Sequence, residues 1–274
     1  MTAANSSSSA AAERGPIVQP YFDKWRQREP ELALIDTFLP PALRLKELCW
    51  HSLLHEFEHS LFGAQEASVA EMKLRWFVQD LAAADKARHP LAKALFREVA
   101  HEAERWQALP WAEWLSAALV LNEHTQSPAS VATWLQAWQP YGRHLAVIEA
   151  SLLGRPLAAE VLVPLLAGRH LVQQLREHGE SAALPLDLWL VGGDAAADTM
   201  FGPHSRPRWQ QLSGHLSAVW QPVQEAGGAV RLLQARHLWR QFQSLCRNGA
   251  LPAQRFFPWQ RLWDTWQASR TAAS

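Results

Sequence analysis

The sequence predicts an all-α, single-domain helical bundle. Three observations carry this. Apolar residues recur three and four positions apart along most of the chain, the period of a helix with one buried face. The period-two alternation of strands is nearly absent. Proline and glycine fall between the periodic runs, where helices start and stop. At 274 residues, with 48% hydrophobic and 19% charged side chains, the chain can build one large core.

A short helix is expected from Tyr21 to Arg28, closed by Glu29-Pro30, and a second from Leu32 to Phe38, stopped by Pro40-Pro41. Ala42 to Phe62 reads as one long helix ending at Gly63, and Ser68 to Ala84 as the next, with Trp76 expected buried between the solvated flanks Lys73 and Arg75. Pro90 to Leu109 is the clearest amphipathic run, with Leu91, Leu95, Val99 and Trp106 on one face. Pro110 to Glu123 follows with proline at its first position. Ser130 to Leu153 is long, contains Pro140 as an expected kink, and meets a cap at Gly154. Leu157 to Glu177 comes next, and Val191 to Arg208 is loop-like in composition. Two or three helices fill Trp209 to Ser269, broken at Gly227-Gly228 and around Asn248 to Pro258. Eight to ten elements are expected in all.

Lys+Arg and Asp+Glu are equal at 26 each, so no long-range field favours nucleic acid. The Arg- and Trp-rich stretch from Arg231 to Arg261 therefore reads as a solvated helical face, not an RNA surface. Cys49 and Cys246 are far apart and in no metal-ligand spacing, so both are expected as small buried residues in a reducing compartment. Met1 to Pro16 is Ser/Ala-rich, without the basic and apolar regions of a signal peptide, and is expected as a disordered tail ahead of a domain covering 17–270. No apolar run approaches the roughly 18 residues that span a membrane. The expected location is cytoplasmic, with peripheral membrane contact as the second expectation. The 15 tryptophans supply core filling, the lining of a wide apolar cavity, or a face resting on a bilayer.

Three ordered segments carry a family resemblance. Lys73-Leu74-Arg75-Trp76-Phe77-Val78-Gln79-Asp80-Leu81, followed by His89-Pro90-Leu91, resembles the "K-L-x-W-W-R-x-E-L … H-P-V/L" run of bacterial squalene/phytoene synthases, with Val78 in place of the usual arginine. Tyr141-Gly142 through Leu152-Leu153-Gly154 is similar to the "Y…AG…L-x-x-x-L-L-G" helix of the same family. Gly168 through Ser181, then Leu184-Pro185-Leu186-Asp187, resembles "G-x-A-x-Q-L-x-N-x-L-R-D-V-x-E-D … L-P-L-D". The resemblance covers roughly residues 17 to 245. It implies the isoprenoid/terpenoid synthase fold around a central apolar cavity, and two aspartate-rich motifs holding Mg²⁺ against isoprenoid diphosphates. Here Glu177 stands where the second motif's first aspartate belongs, with Glu180 near it and Ser181 where the second aspartate belongs. His55-Glu56-Phe57-Glu58-His59 replaces the first motif, and Glu56 and Glu58 point about 200° apart on a helix. No basic cluster for a diphosphate stands out.

The resemblance thus implies a divergent member with reduced or lost prenyl-diphosphate coupling. It would bind an isoprenoid diphosphate or apolar lipid, or serve as an accessory factor to a protein partner. The alternative it implies is an active prenyltransferase with relaxed motifs, using Glu177 with Glu180, Glu58 or Asp187 as the Mg²⁺ ligands. Two residue-level alternatives stand beside it. His55-Glu56-Phe57-Glu58-His59 satisfies H-E-x-x-H, which on a helix brings two imidazoles together for Zn²⁺. Against that, His51, His55 and His59 also read as a partly exposed helix stripe. Glu56-x-x-His59 with Glu98-x-x-His101 matches the pairs of di-iron bundles, but no inward glutamates stand out on two further helices.

Overall fold

The computed structural model describes residues 6–63, 66–99, 103–123, 130–178, 206–252 and 258–273. Among the described residues there are twelve α-helices and no strand. They are α1 (Ser6–Arg28), α2 (Ile35–Phe38), α3 (Pro41–Phe62), α4 (Ala67–Ala82), α5 (Pro90–Glu98), α6 (Ala103–Gln107), α7 (Trp111–Glu123), α8 (Val131–Leu153), α9 (Ala159–His178), α10 (Arg206–Ala226), α11 (Gly228–Asn248) and α12 (Pro258–Ala273). Two 3₁₀ turns, Pro30–Leu32 and Ala84–Lys86, join neighbours. No described helix is long and apolar enough to cross a membrane.

The caps follow the sequence punctuation. Ser130 accepts a hydrogen bond from the Thr133 amide at the start of α8, and Gly154 ends it at φ 71°. Gly249 closes α11 at φ 64°. The helix expected over Pro90 to Leu109 is instead two, because Val99 leaves helical geometry at φ −119°, ψ 14°. Helix α1 begins at Ser6, inside the stretch expected as a tail, where alanine favours helix. Arg206 to Arg208, expected in a loop, open α10; residues 179–205 lie outside the described set.

Helix α3 is the central element, packed against α1, α4, α5 and α7; α8 and α9 pair, and α10, α11 and α12 stack in sequence and return to α9. Two glycines allow α9 its close neighbours. A Cβ on Gly142 would lie 2.4 Å from Val163 Cγ2, and one on Gly168 would lie 2.9 Å from Leu238 Cδ2.

Much of the interior is aromatic. Phe57 stacks on Trp114 at 3.9 Å, and Trp50, Tyr141 and Trp138 continue the cluster between α3, α7 and α8. Trp25, Trp50, Trp106, Trp114 and Trp209 are fully buried, each contributing roughly 4–6 kcal/mol of apolar burial. Trp76 corrects an expectation. Helix α4 buries Leu74, Phe77, Val78 and Leu81, one face by spacing, and leaves Trp76 and Met72 outside at 45% and 65% exposure. Cys49 is buried as expected, whereas Cys246 is only partly covered.

Candidate functional site

The first turn of α3 is solvent-facing, but from Glu47 inward its polar residues turn toward the core. A chain of buried polar groups runs from there across the bundle. Trp50 Nε1 donates to Glu149 Oε1 at 2.9 Å, and Arg231 grips the same carboxylate through Nε and Nη2. Arg231 Nη1 donates to Gln234 Oε1 at 3.0 Å, whose Nε2 donates to Glu29 Oε2 at 3.0 Å. Glu29 also accepts from Trp25 Nε1 at 3.1 Å and from Arg169 Nη2 at 2.6 Å. Arg169 stands 3.6 Å from Glu58, and Tyr141 Oη stands 3.5 Å from the other Glu58 oxygen. Helices α3, α8, α9 and α11 and the end of α1 thus meet on one ionic thread.

The electrostatics differ along the thread. Burial alone would raise the Glu149 carboxyl, but Arg231 and the Trp50 hydrogen bond outweigh it and hold it below the usual range. At Glu29 burial is likewise outweighed, chiefly by Arg169. At Glu58 burial wins over Arg169 and Arg231, and the carboxyl is pushed up. Burial also pushes the Tyr141 phenol up, with the Glu58 charge adding to it.

Beside this thread the end of α1, α9 and α11 enclose a cavity of about 200 Å³. Arg28, Arg169, Arg176, Glu29, Glu177 and Gln234 line it, so its wall is polar and mixed in charge. Arg28 pairs with Glu177 at 3.0 Å, and Gln173 donates to the same carboxylate.

Of the residues expected from sequence, Glu177 lines this cavity and Glu58 reaches it only through Arg169. Glu56 points elsewhere, as its spacing required, and pairs with Lys24 at 2.8 Å. Glu180, Ser181, Asp187 and His101 lie outside the described residues. The described carboxylates do not suit Mg²⁺. Each faces a cation that would compete with a metal for its oxygens, and burial pushes the Glu58 carboxyl up. Among the described residues no group of three or more His, Cys, Asp or Glu could hold a metal ion.

The H-E-x-x-H pair does place two imidazoles together, with His55 and His59 rings parallel within 5° and 6.4 Å apart. The expected partly exposed stripe is corrected at two of its three positions, His59 remaining partly exposed. His51 and His55 are both 3% exposed, since α3 runs through the centre of the bundle. Burial pulls the His55 pKa down to about 4, and the would-be general base Glu56 is held by Lys24.

The sequence reading missed Arg28, Glu29, Arg169, Arg176, Glu149 and Arg231. Arg231 falls in a stretch expected to be solvated, yet it is 1% exposed. One signal was present: Arg231, Gln234, His237 and Gln241 recur at helical spacing on a helix whose other residues are largely apolar. Comparison with protein-family models, with curated proteins and with solved structures finds no match to the chain.

Proposed function

We propose that the chain is a divergent squalene/phytoene synthase-like protein in which prenyl-diphosphate coupling is reduced or lost, and that it works as an accessory factor. The observation that carries this reading is the pairing of the candidate carboxylates. Glu56, Glu58 and Glu177 face Lys24, Arg169 and Arg28, where two facing acidic clusters would be needed to grip Mg²⁺. The family half of the reading is supported by the three ordered sequence matches, which fall on α4–α5, on α8 and, up to His178, on α9 of a chain whose described residues form helices and no strand. Between the two non-catalytic roles, the accessory one is better supported than the binding of an isoprenoid or other lipid. The cavity beside Glu177 is small and polar, below the roughly 300 Å³ of ordinary small-molecule sites, and aromatic rings fill the space between α3, α7 and α8.

The test is incubation of the purified protein with Mg²⁺ and farnesyl or geranylgeranyl diphosphate. No released diphosphate is expected, and Glu58→Ala and Glu177→Ala should match the parent protein. Mg²⁺-dependent release that disappears in Glu177→Ala would establish the alternative, an active prenyltransferase. Native mass spectrometry separates the remaining roles: a retained prenyl lipid would favour lipid binding over a purely accessory part.

A further inference from the structure

The outer face formed by α10, α11 and α12 carries a second constellation that the ionic thread does not use. Trp220 and Arg236 line both of two grooves, one of about 460 Å³ between α10 and α11 and one of about 360 Å³ that α12 also lines, so the two adjoin at these side chains. Trp239 lines the first groove and Trp266 the second. The rim is apolar and stands outward. Trp263 is 56% exposed, Leu262 40% and Trp239 39%, and the Trp263 ring lies 4.9 Å from that of Trp266. Arg270 rests over the Trp266 ring at 5.1 Å.

The charge on this face has one sign. Arg236, Arg240 and Arg270 line the grooves, and no lining residue is a carboxylate. Among the described residues the acid paired with them is Asp264, which is 2% exposed and spends one oxygen on Arg236 and both on Arg240. Three guanidinium groups against one buried carboxylate leave an excess of two positive charges here, on a chain whose total is zero. Tryptophans with an apolar body and a wet N–H edge, set among arginines whose stems lie along apolar surface, are what a headgroup layer accommodates. An anionic bilayer supplies the complementary charge and an apolar layer within reach of the protruding rings.

We propose that this face docks the protein on the surface of a membrane containing anionic lipid, with Trp239, Leu262 and Trp263 entering the interface and Arg236, Arg240 and Arg270 meeting lipid phosphates. The contact is in-plane, since no described helix could cross the bilayer. The inference is independent of whether the carboxylates described above bind metal.

Co-sedimentation of the full chain with extruded vesicles tests it, using phosphatidylcholine alone and an equal mixture of phosphatidylcholine and phosphatidylglycerol. Binding to the mixed vesicles is expected at about 50 mM salt, with a large loss at about 300 mM as the charges are screened. Trp239→Ser and Trp263→Ser should each weaken partitioning at least about fivefold at either salt concentration. Arg270→Gln should weaken it by about fivefold at low salt only. Arg236 and Arg240 are left intact because they hold Asp264. Met72→Ser, an exposed apolar position on α4 outside the grooves, should change nothing. Circular dichroism confirms that each variant is folded. Absence of binding to the mixed vesicles, equal binding to both compositions, or full binding by Trp239→Ser and Trp263→Ser would overturn the proposal. Self-association in solution lost in those same two variants, without vesicle binding, would overturn it in favour of a protein-docking face.

Discussion

Replacing Arg231 with methionine tests the ionic thread at its most buried link. The side chain keeps its length and loses its charge, so Glu149 is left in the core with only the Trp50 N–H to serve it. Arg231 and Glu149 are 1% and 2% exposed, so water cannot replace the lost partner. Removing one member of a buried pair costs about 3–5 kcal/mol. For a domain of this size that lowers Tm by roughly 6–20 °C. The loss should depend on pH with a definite sign. In the parent protein Glu149 has a depressed pKa, so its stabilising contribution is present above the unfolded carboxylate value and disappears as pH falls through the folded one. In Arg231→Met burial is opposed only by the Trp50 hydrogen bond and His51, so the pKa rises and the charged form becomes a burden near neutrality that protonation relieves. Urea unfolding at pH 7 and pH 5 should therefore show a smaller gap between variant and parent at the lower pH. Adding Glu149→Met should recover most of the deficit, because the pair is then replaced by apolar volume. A cost under about 1 kcal/mol, or a gap independent of pH, would refute the reasoning.

Three further expectations concern stability. Gly142→Ala should cost about 1–3 kcal/mol by driving a methyl into Val163, and Val163→Ala in the same chain should restore part of it; equal urea midpoints for parent and Gly142→Ala would contradict the close approach of α8 and α9. Asp80 accepts the amides of Arg88 and His89 at 2.6 and 2.8 Å, so Asp80→Ala should cost about 1–3 kcal/mol and increase amide exchange at those two positions. Burial pulls His55, His170 and His237 down to about 4, so each binds a proton more readily when unfolded, where the value is about 6.5. Stability should accordingly fall as pH drops from about 6.5 toward 4, and a Tm constant over that range would count against neutral buried imidazoles.

The helices were legible because their signals are local. Ser130 and Gly154 bound α8 as expected, and Gly228, at φ 66°, separates α10 from α11 where the Gly227-Gly228 break was read. Trp76 was misplaced for a local reason too. The run Trp76-Phe77-Val78 offers apolar side chains on both sides of α4, and periodicity alone does not say which side meets the bundle. The candidate site was largely illegible because its contacts are remote. Glu149 and Arg231 are 82 residues apart, and Glu29 and Arg169 are 140 apart. Neither partner leaves a mark near the other, so charged residues in amphipathic helices were assigned to the solvent by default. Glu56 and Glu58 could be separated correctly because that inference needs only the helical turn.

The bond between Glu29 and Gln234 joins residues 205 apart. During synthesis Glu29, Glu149 and Arg169 all emerge well before α11. Arg231 follows Glu149 by 82 residues, about 4–16 s at ordinary translation rates. Over that interval Glu29 and Arg169 can pair, but Glu149 lacks its cation and cannot be buried without a large penalty, so its surroundings must stay hydrated. Arrival of α11 is then the event that dries the surroundings of Glu149, and a chain ending before it would expose the apolar faces of α9 and α10 to whatever chaperone or neighbour is present.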